Sequence, residues 1–159
     1  MNKDRMHVRF FLWLTTGLVL LLLSGCISKI FPPKPTTASL EIETSADINP
    51  NPMGRPSPLV LWIYQLKSPF CFEKADFMTL YEKSESFLST DLIKKQEIIL
   101  KVNEKQTVPI EVTDEINALG LMALFRDYEQ SHWKATATII PHKDNLINVT
   151  IQGTTLTVN

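Results

Sequence analysis

From Ser39 to Ile48 (SLEIETSADI) apolar and polar positions alternate. Leu40, Ile42 and Thr44 fall on one face, Glu41 and Glu43 on the other. A period of two marks a half-buried strand. Leu59 to Leu66 (LVLWIYQL) departs from that pattern. Leu59, Leu61 and Ile63 point one way, Val60, Trp62, Tyr64 and Leu66 the other, so both faces are apolar. A sandwich strand ordinarily shows one polar face to water, so this one needs a cover on its second side. The next segment can supply it. In Glu73–Phe87 (EKADFMTLYEKSESF) Phe77, Leu80, Tyr81 and Ser84 recur at helical spacing. One or two short helices, about 73–88, are predicted to lie against the sheet.

Strand patterns resume at Gln96–Val102 (QEIILKV), turn at Asn103-Glu104-Lys105 and return through Thr107–Val112 (TVPIEV). Pro109 has no N–H to donate to a ladder, which places that run at a sheet edge or bulge. Ala118–Asp127 (ALGLMALFRD) admits two readings. Its Leu, Ala and Met favour helix, though Gly120 weakens it. A continuous apolar run also suits a central strand. Trp133–Ile140 (WKATATII) alternates, and Leu146–Ile151 with Thr154–Val158, joined at Gln152-Gly153, read as a terminal hairpin. About eight short strands with a small helical insertion predict a mainly β fold, a β-sandwich.

The first two strands are joined by a stiff connector. Pro50, Pro52, Pro56 and Pro58 lie within nine residues. Each proline fixes φ near −65° and restricts the residue before it. Such a loop can end a strand and guard a sheet edge from stray pairing. It can also serve as a docking surface, because a stiff loop loses less entropy on binding. Met53 and Arg55 at its tip are side chains that interfaces favour. The candidate binding residues are Asn49, Pro50, Asn51, Pro52, Met53, Gly54, Arg55, Pro56 and Ser57.

The N-terminus sets the compartment. Lys3, Arg5 and Arg9 precede an apolar run of 14 residues, Phe10–Leu23. A spanning helix needs about 20, so the run reads as the core of a signal peptide. Leu23-Ser24-Gly25-Cys26 is a lipobox: an aliphatic residue, two small ones and a thiol to accept lipid. The expected organisation is a signal peptide at 1–25, a lipidated Cys26 with a proline-rich tether at 26–38, and a sandwich domain at 39–159. The lipid on Cys26 would be a diacylglycerol and an N-acyl chain, and no other cofactor is expected. Ile27 replaces the aspartate that commonly retains lipoproteins in the inner membrane, which favours the periplasmic face of the outer membrane. Twelve extended residues, 27–38, reach up to about 35 Å.

Removing residues 1–25, with Lys3, Arg5 and Arg9 against Asp4, takes the formal charge from −1 to −3. Nothing basic remains to track phosphates, so no nucleic-acid partner is expected. Once Cys26 is lipidated, Cys71 has no intrachain partner, and the core must hold the fold without a disulfide. Between Phe70 and Phe72, Cys71 reads as a buried apolar thiol rather than a reactive one. His132 and His142 have no ligand partners at metal spacing and read as solvated loop residues. No nucleophile-elbow, zinc-helix or phosphate-loop motif is present. These residues describe a lipid-anchored scaffold or docking protein rather than an enzyme, with no small-molecule substrate. The alternatives are a pilotin-like chaperone lipoprotein and a ligand-binding or hydrolytic lipoprotein.

In order along the chain stand the lipobox at Cys26; Ile48-Asn49-Pro50; Gly54-Arg55-Pro56-Ser57-Pro58 leading into Val60-Leu61-Trp62-Ile63-Tyr64-Gln65-Leu66; Ala75-Asp76-Phe77 with Leu80-Tyr81; Leu88 and Asp91-Leu92; Leu119 to Asp127; and Trp133-Lys134. Over about residues 39–158 this resembles the TssJ family, the outer-membrane lipoproteins of type VI secretion systems. The most specific stretch is NPNPMGRPSPLVLWIYQL. Two departures are visible: Asn103-Glu104-Lys105 lacks the usual Pro-Gly, and Lys134 stands where arginine is usual. The resemblance implies a transthyretin-like β-sandwich and makes 118–127 a strand. It implies a non-enzymatic role: assembling the secretion membrane complex by binding the periplasmic C-terminal domain of TssM.

Overall fold

Eight strands form two four-stranded sheets in the computed structural model, which describes residues 33–159. The signal peptide, Cys26 and most of the tether lie outside those residues. The first sheet runs β4 (Lys105–Ile110), β1 (Thr37–Thr44), β7 (Asp144–Gln152), β8 (Thr155–Val158). The second runs β3 (Leu92–Leu100), β2 (Leu59–Leu66), β5 (Ala118–Ala123), β6 (Lys134–Thr138). Of these strand pairs, β1 with β7 is parallel and the others are antiparallel. The eight-stranded, mainly β architecture is the one the alternation predicts. Two helices, α1 (Phe70–Lys74) and α2 (Phe77–Leu88), follow β2.

The double-sided character of β2 is explained by two cores. Leu59, Leu61 and Ile63 join Leu40, Ile42, Leu119, Leu121, Val149 and Ile151 between the sheets. Tyr64 and Leu66 point the opposite way, against Phe72, Leu80 and Leu88 of the helices and against Ala118 and Met122. Burying one such side chain contributes about 1.5–3 kcal/mol, so the helical cover stabilises the sheet as well as shielding it. The inward face of α2 is Phe77, Leu80, Ser84 and Leu88. Tyr81, expected on that face, is half exposed at its margin and stacks on Trp62 at 5.5 Å.

Three local devices seat the helices. The Asp76 carboxylate accepts from the Thr79 N–H and hydroxyl, both at 2.8 Å, and caps α2. Those two bonds hold its pKa below the usual carboxylate range. The Lys134 ammonium donates to the carbonyls of Phe72, Glu73 and Ala75, at 3.3, 2.8 and 2.7 Å, at the open end of α1. A cation there meets the last carbonyls of the helix, which the helix leaves under-paired; that of Phe72 also accepts the Ala75 N–H at 3.3 Å. Gly120, in the centre of β5, lets the Phe72 ring lie on the strand: a Cβ there would stand 2.8 Å from the ring.

Several strand limits differ from the pattern, by one or two residues at β4, β6 and β7 and by four at β1 and β3. β1 stops at Thr44 instead of Ile48: the Ser45 N–H still reaches the Ile151 carbonyl at 2.9 Å, but the chain then turns at Ala46 and Asp47, where the Ser45 hydroxyl bonds the Asp47 carboxylate. Ile48 is still fully buried and plugs the end of the core. β3 begins at Leu92, four residues before the expected start, since Lys94 and Lys95 pair with Gln65 and Tyr64. Pro109 does lie on an edge strand, β4. Of the ambiguous run 118–127, Ala118–Ala123 is a strand with all six residues buried, the inter-sheet core on one face and the helices on the other, and the strand ends before Leu124.

Candidate functional site

The proline loop is stiff, but two asparagines do most of the fixing. The Asn51 side-chain oxygen accepts from the N–H groups of Met53 at 3.0 Å and Arg55 at 2.9 Å. The backbone adds Asn51 N–H to Arg55 and Gly54 N–H to Asn51, each 2.8 Å. Gly54, at φ 76, takes the left-handed conformation that closes this turn. Asn49 bolts the loop to the body. It also has a left-handed backbone, φ 46, and is only 6% exposed. Its amide donates to the Pro58 carbonyl at 2.9 Å, and its side-chain oxygen accepts the Arg126 N–H at 2.9 Å. Its own N–H donates to the Gly153 carbonyl at 2.8 Å.

The loop presents a specific set to solvent. Met53 is 91% exposed at the tip. Pro52, Gly54 and Arg55 are exposed beside it, while Pro50, Asn51, Pro56 and Ser57 are half-buried. Asn49 faces inward with its side chain spent, so of the nine candidates it supports the surface rather than forming it. Arg126 and Gly153 were absent from the candidate set. Their link to the loop is tertiary, and no local pattern signals it.

Position matters as much as stiffness. The chain enters β1 at Thr37 and leaves it at Thr44, directly before the loop. Eight strand residues span about 26 Å. The tether therefore joins at one pole of the sandwich and the loop sits at the other. Thr37 is pinned at its pole: its N–H donates to Lys143 and its hydroxyl to the Asp144 carboxylate. Cys26 lies outside the described residues.

A ligand-binding or hydrolytic reading needs a polar recess. One opens at the tether pole, about 220 Å³, lined by Thr36, Thr113, Asp114, Ile116, Pro141 and His142. It carries one acid and one imidazole. Among the described residues no three His, Cys, Asp or Glu side chains gather as metal ligands. No described helix is long and apolar enough to cross a membrane. His132 is exposed. Cys71 is half-buried on α1 rather than fully enclosed, and burial, with Asp91 beside it, pushes its thiol pKa up. A raised pKa leaves less thiolate to react.

Residues 36–154 match the family model described as type VI secretion lipoprotein, VasD, EvfM, TssJ, VC_A0113. No curated protein matches significantly. Among solved structures, the T6SS lipoprotein TssJ1 from Pseudomonas aeruginosa superposes with a TM-score of 0.75 at 23% identity, over 80% of this chain and 96% of that one. Serratia marcescens Lip, a membrane-bound component of the type VI secretion system, gives 0.72 at 16% identity, over 79% and 98%. A chain of the structure described as the T6SS protein TssM C-terminal domain (869-1107) from EAEC gives 0.64 at 26%, over 78% and 98%.

Proposed function

The chain belongs to the type VI secretion lipoprotein family that includes TssJ, and from that premise we propose that it holds the secretion membrane complex at the outer membrane by gripping the periplasmic C-terminal domain of a TssM protein. One observation carries this: a rigid, exposed loop stands at the pole opposite the tether. With the lipid of Cys26 in the periplasmic leaflet, that geometry turns Met53 and Arg55 away from the outer membrane and toward a partner rising from the inner one. Preorganisation by Asn49 and Asn51 lowers the entropy lost on docking. A similar chain occurs in a structure described as a type VI membrane complex, at a TM-score of 0.70 and 25% identity. The structure described as a TssM C-terminal domain also holds a chain of this fold, which supports that domain as the partner. The role is structural, not catalytic, and needs no cofactor beyond the lipid.

Calorimetry of the mature protein with the TssM C-terminal domain tests it. Met53→Asp with Arg55→Glu is expected to weaken binding at least tenfold without lowering the thermal midpoint, because both side chains are exposed. Unchanged affinity would move the interface off the loop. No binding by the unmodified protein at micromolar concentration would count against the partner itself.

A further inference from the structure

The outer face of the second sheet is not covered evenly. Its cross-strand rows can be read from the register. Lys95, Tyr64, Gly120 and Thr136 form one row, and Glu97, Trp62, Met122 and Lys134 the next. Phe72 lies on Gly120 in the first row, and the second meets the side of α2 through the Trp62–Tyr81 stack. The row after that is Ile99 and Val60, opposite each other, with Leu124 beside them through its N–H to the Val60 carbonyl at 2.9 Å. All three are aliphatic. Leu124, just past the end of β5, packs at the margin of the helix-covered cluster, while Ile99 and Val60 belong to neither core cluster. Ile99 is 64% exposed, while Val60 and Leu124 are half-buried.

This row adjoins the loop. Pro58 leads through Leu59 into Val60, and Arg126 follows Leu124 by two residues. Asn49 ties Pro58 and Arg126 to each other, so loop and row form one rigid surface. The neighbouring aromatic rings offer no free platform: Trp62 has Tyr81 stacked on it and the Lys95 ammonium 3.2 Å from its ring centre, and its N–H is spent on Glu97. The aliphatic row is therefore the part of this face left for an occupant. The tether is a poor one. Residues 26–36 span at most about 38 Å, and covering the row would use about 26 Å of that to travel the length of β1, drawing the lipid to the wrong pole.

We propose that the Ile99–Val60–Leu124 row is the second half of the docking surface, receiving aliphatic side chains of the same partner that grips the loop. The inference rests on the loop reading above and adds the chemistry of the partner: an aliphatic ridge, with an acidic residue on the side that meets the exposed Arg126. Core positions of interfaces are apolar and desolvated, with charges at the rim, which is the order found here.

The test uses the mature lipoprotein in detergent and the TssM C-terminal domain as probe. Ile99→Asp alters an exposed side chain, so the fold is kept. It is expected to lower affinity at least tenfold at an unchanged thermal midpoint, and amides of 59–60, 98–100 and 124 are expected to exchange more slowly in the complex. Unchanged affinity and exchange, with Met53→Asp/Arg55→Glu still defective, would overturn the row and leave the loop reading standing. Binding lost in neither variant, or absent in the unmodified protein, overturns both. A concentration-dependent dimer abolished by Ile99→Asp would assign the row to a second copy and overturn the proposal.

Discussion

Replacing Asn49 by alanine isolates what holds the loop in place. The substitution removes the amide bond to Pro58 and the acceptor for Arg126 N–H, both 2.9 Å and partly buried. A backbone group left without its partner costs about 1–3 kcal/mol. Partial access to water puts each near the low end, about 2 kcal/mol together. Alanine must also hold φ at 46, which costs a residue without local side-chain bonds about 1–2 kcal/mol. The expected loss is therefore about 3–4 kcal/mol, a large share of the roughly 5–15 kcal/mol that holds a typical domain together. Asn49→Gly separates the two causes: it keeps the backbone free but not the bonds, and should fall between alanine and the native protein. Urea denaturation of all three gives the order, and hydrogen exchange gives the location. Gly54 and Arg55 N–H groups should stay protected in both variants, because Asn51 holds them locally, while Arg126 N–H loses protection. TssM binding should weaken as the loop detaches. If Asn49→Ala lies within about 0.5 kcal/mol of the native protein, the bolt is ornamental and the reasoning fails.

Gly120→Ala should destabilise by about 1–3 kcal/mol through overpacking against Phe72, lowering the thermal midpoint by several degrees; Phe72→Leu in the same chain should recover part of the loss, a non-additivity that a double-mutant cycle measures. The Asp76 carboxylate has a lowered pKa in the folded state, so its contribution is complete above its unfolded value near 3.8 and fades as pH falls through the folded value; Asp76→Asn should flatten that part of an acid-unfolding curve. Cys26→Ser should give a folded protein that no longer sediments with outer membrane and no longer supports secretion; fractionation that still finds it there would refute the lipid anchor.

What the sequence made legible was what depends on short spacing. β2 is bounded at Leu59 and Leu66 as its composition suggests, its two apolar faces do find two cores, and Pro109 does mark an edge. Residues 118–123 could not be settled locally, since burial on both faces erases the alternation that identifies a strand. The loop was found for an incomplete reason. Four prolines announce stiffness, but the bonds that fix the loop to the body join residues 77 positions apart for Asn49 and Arg126. An asparagine has no distinctive signature at that range. The aliphatic row has a partial one. Val60 is apolar yet belongs to neither core cluster, and Ile99 and Leu124 become its neighbours only through register.

The placement of tether and loop has a mechanical consequence. If the lipid holds one pole and the partner pulls at the other, tension enters the domain at Thr37 and leaves just beyond Thr44, along the axis of β1. That strand is interior to its sheet, paired with β4 on one side and β7 on the other. A load along a strand flanked on both edges shears its hydrogen bonds together instead of peeling them one by one. Survival under load is a matter of unfolding rate, and this loading direction is the one in which a sheet yields most slowly. In the proposed arrangement the sandwich would be strung as a link between two membranes, with a strand braced on both edges on the line of force.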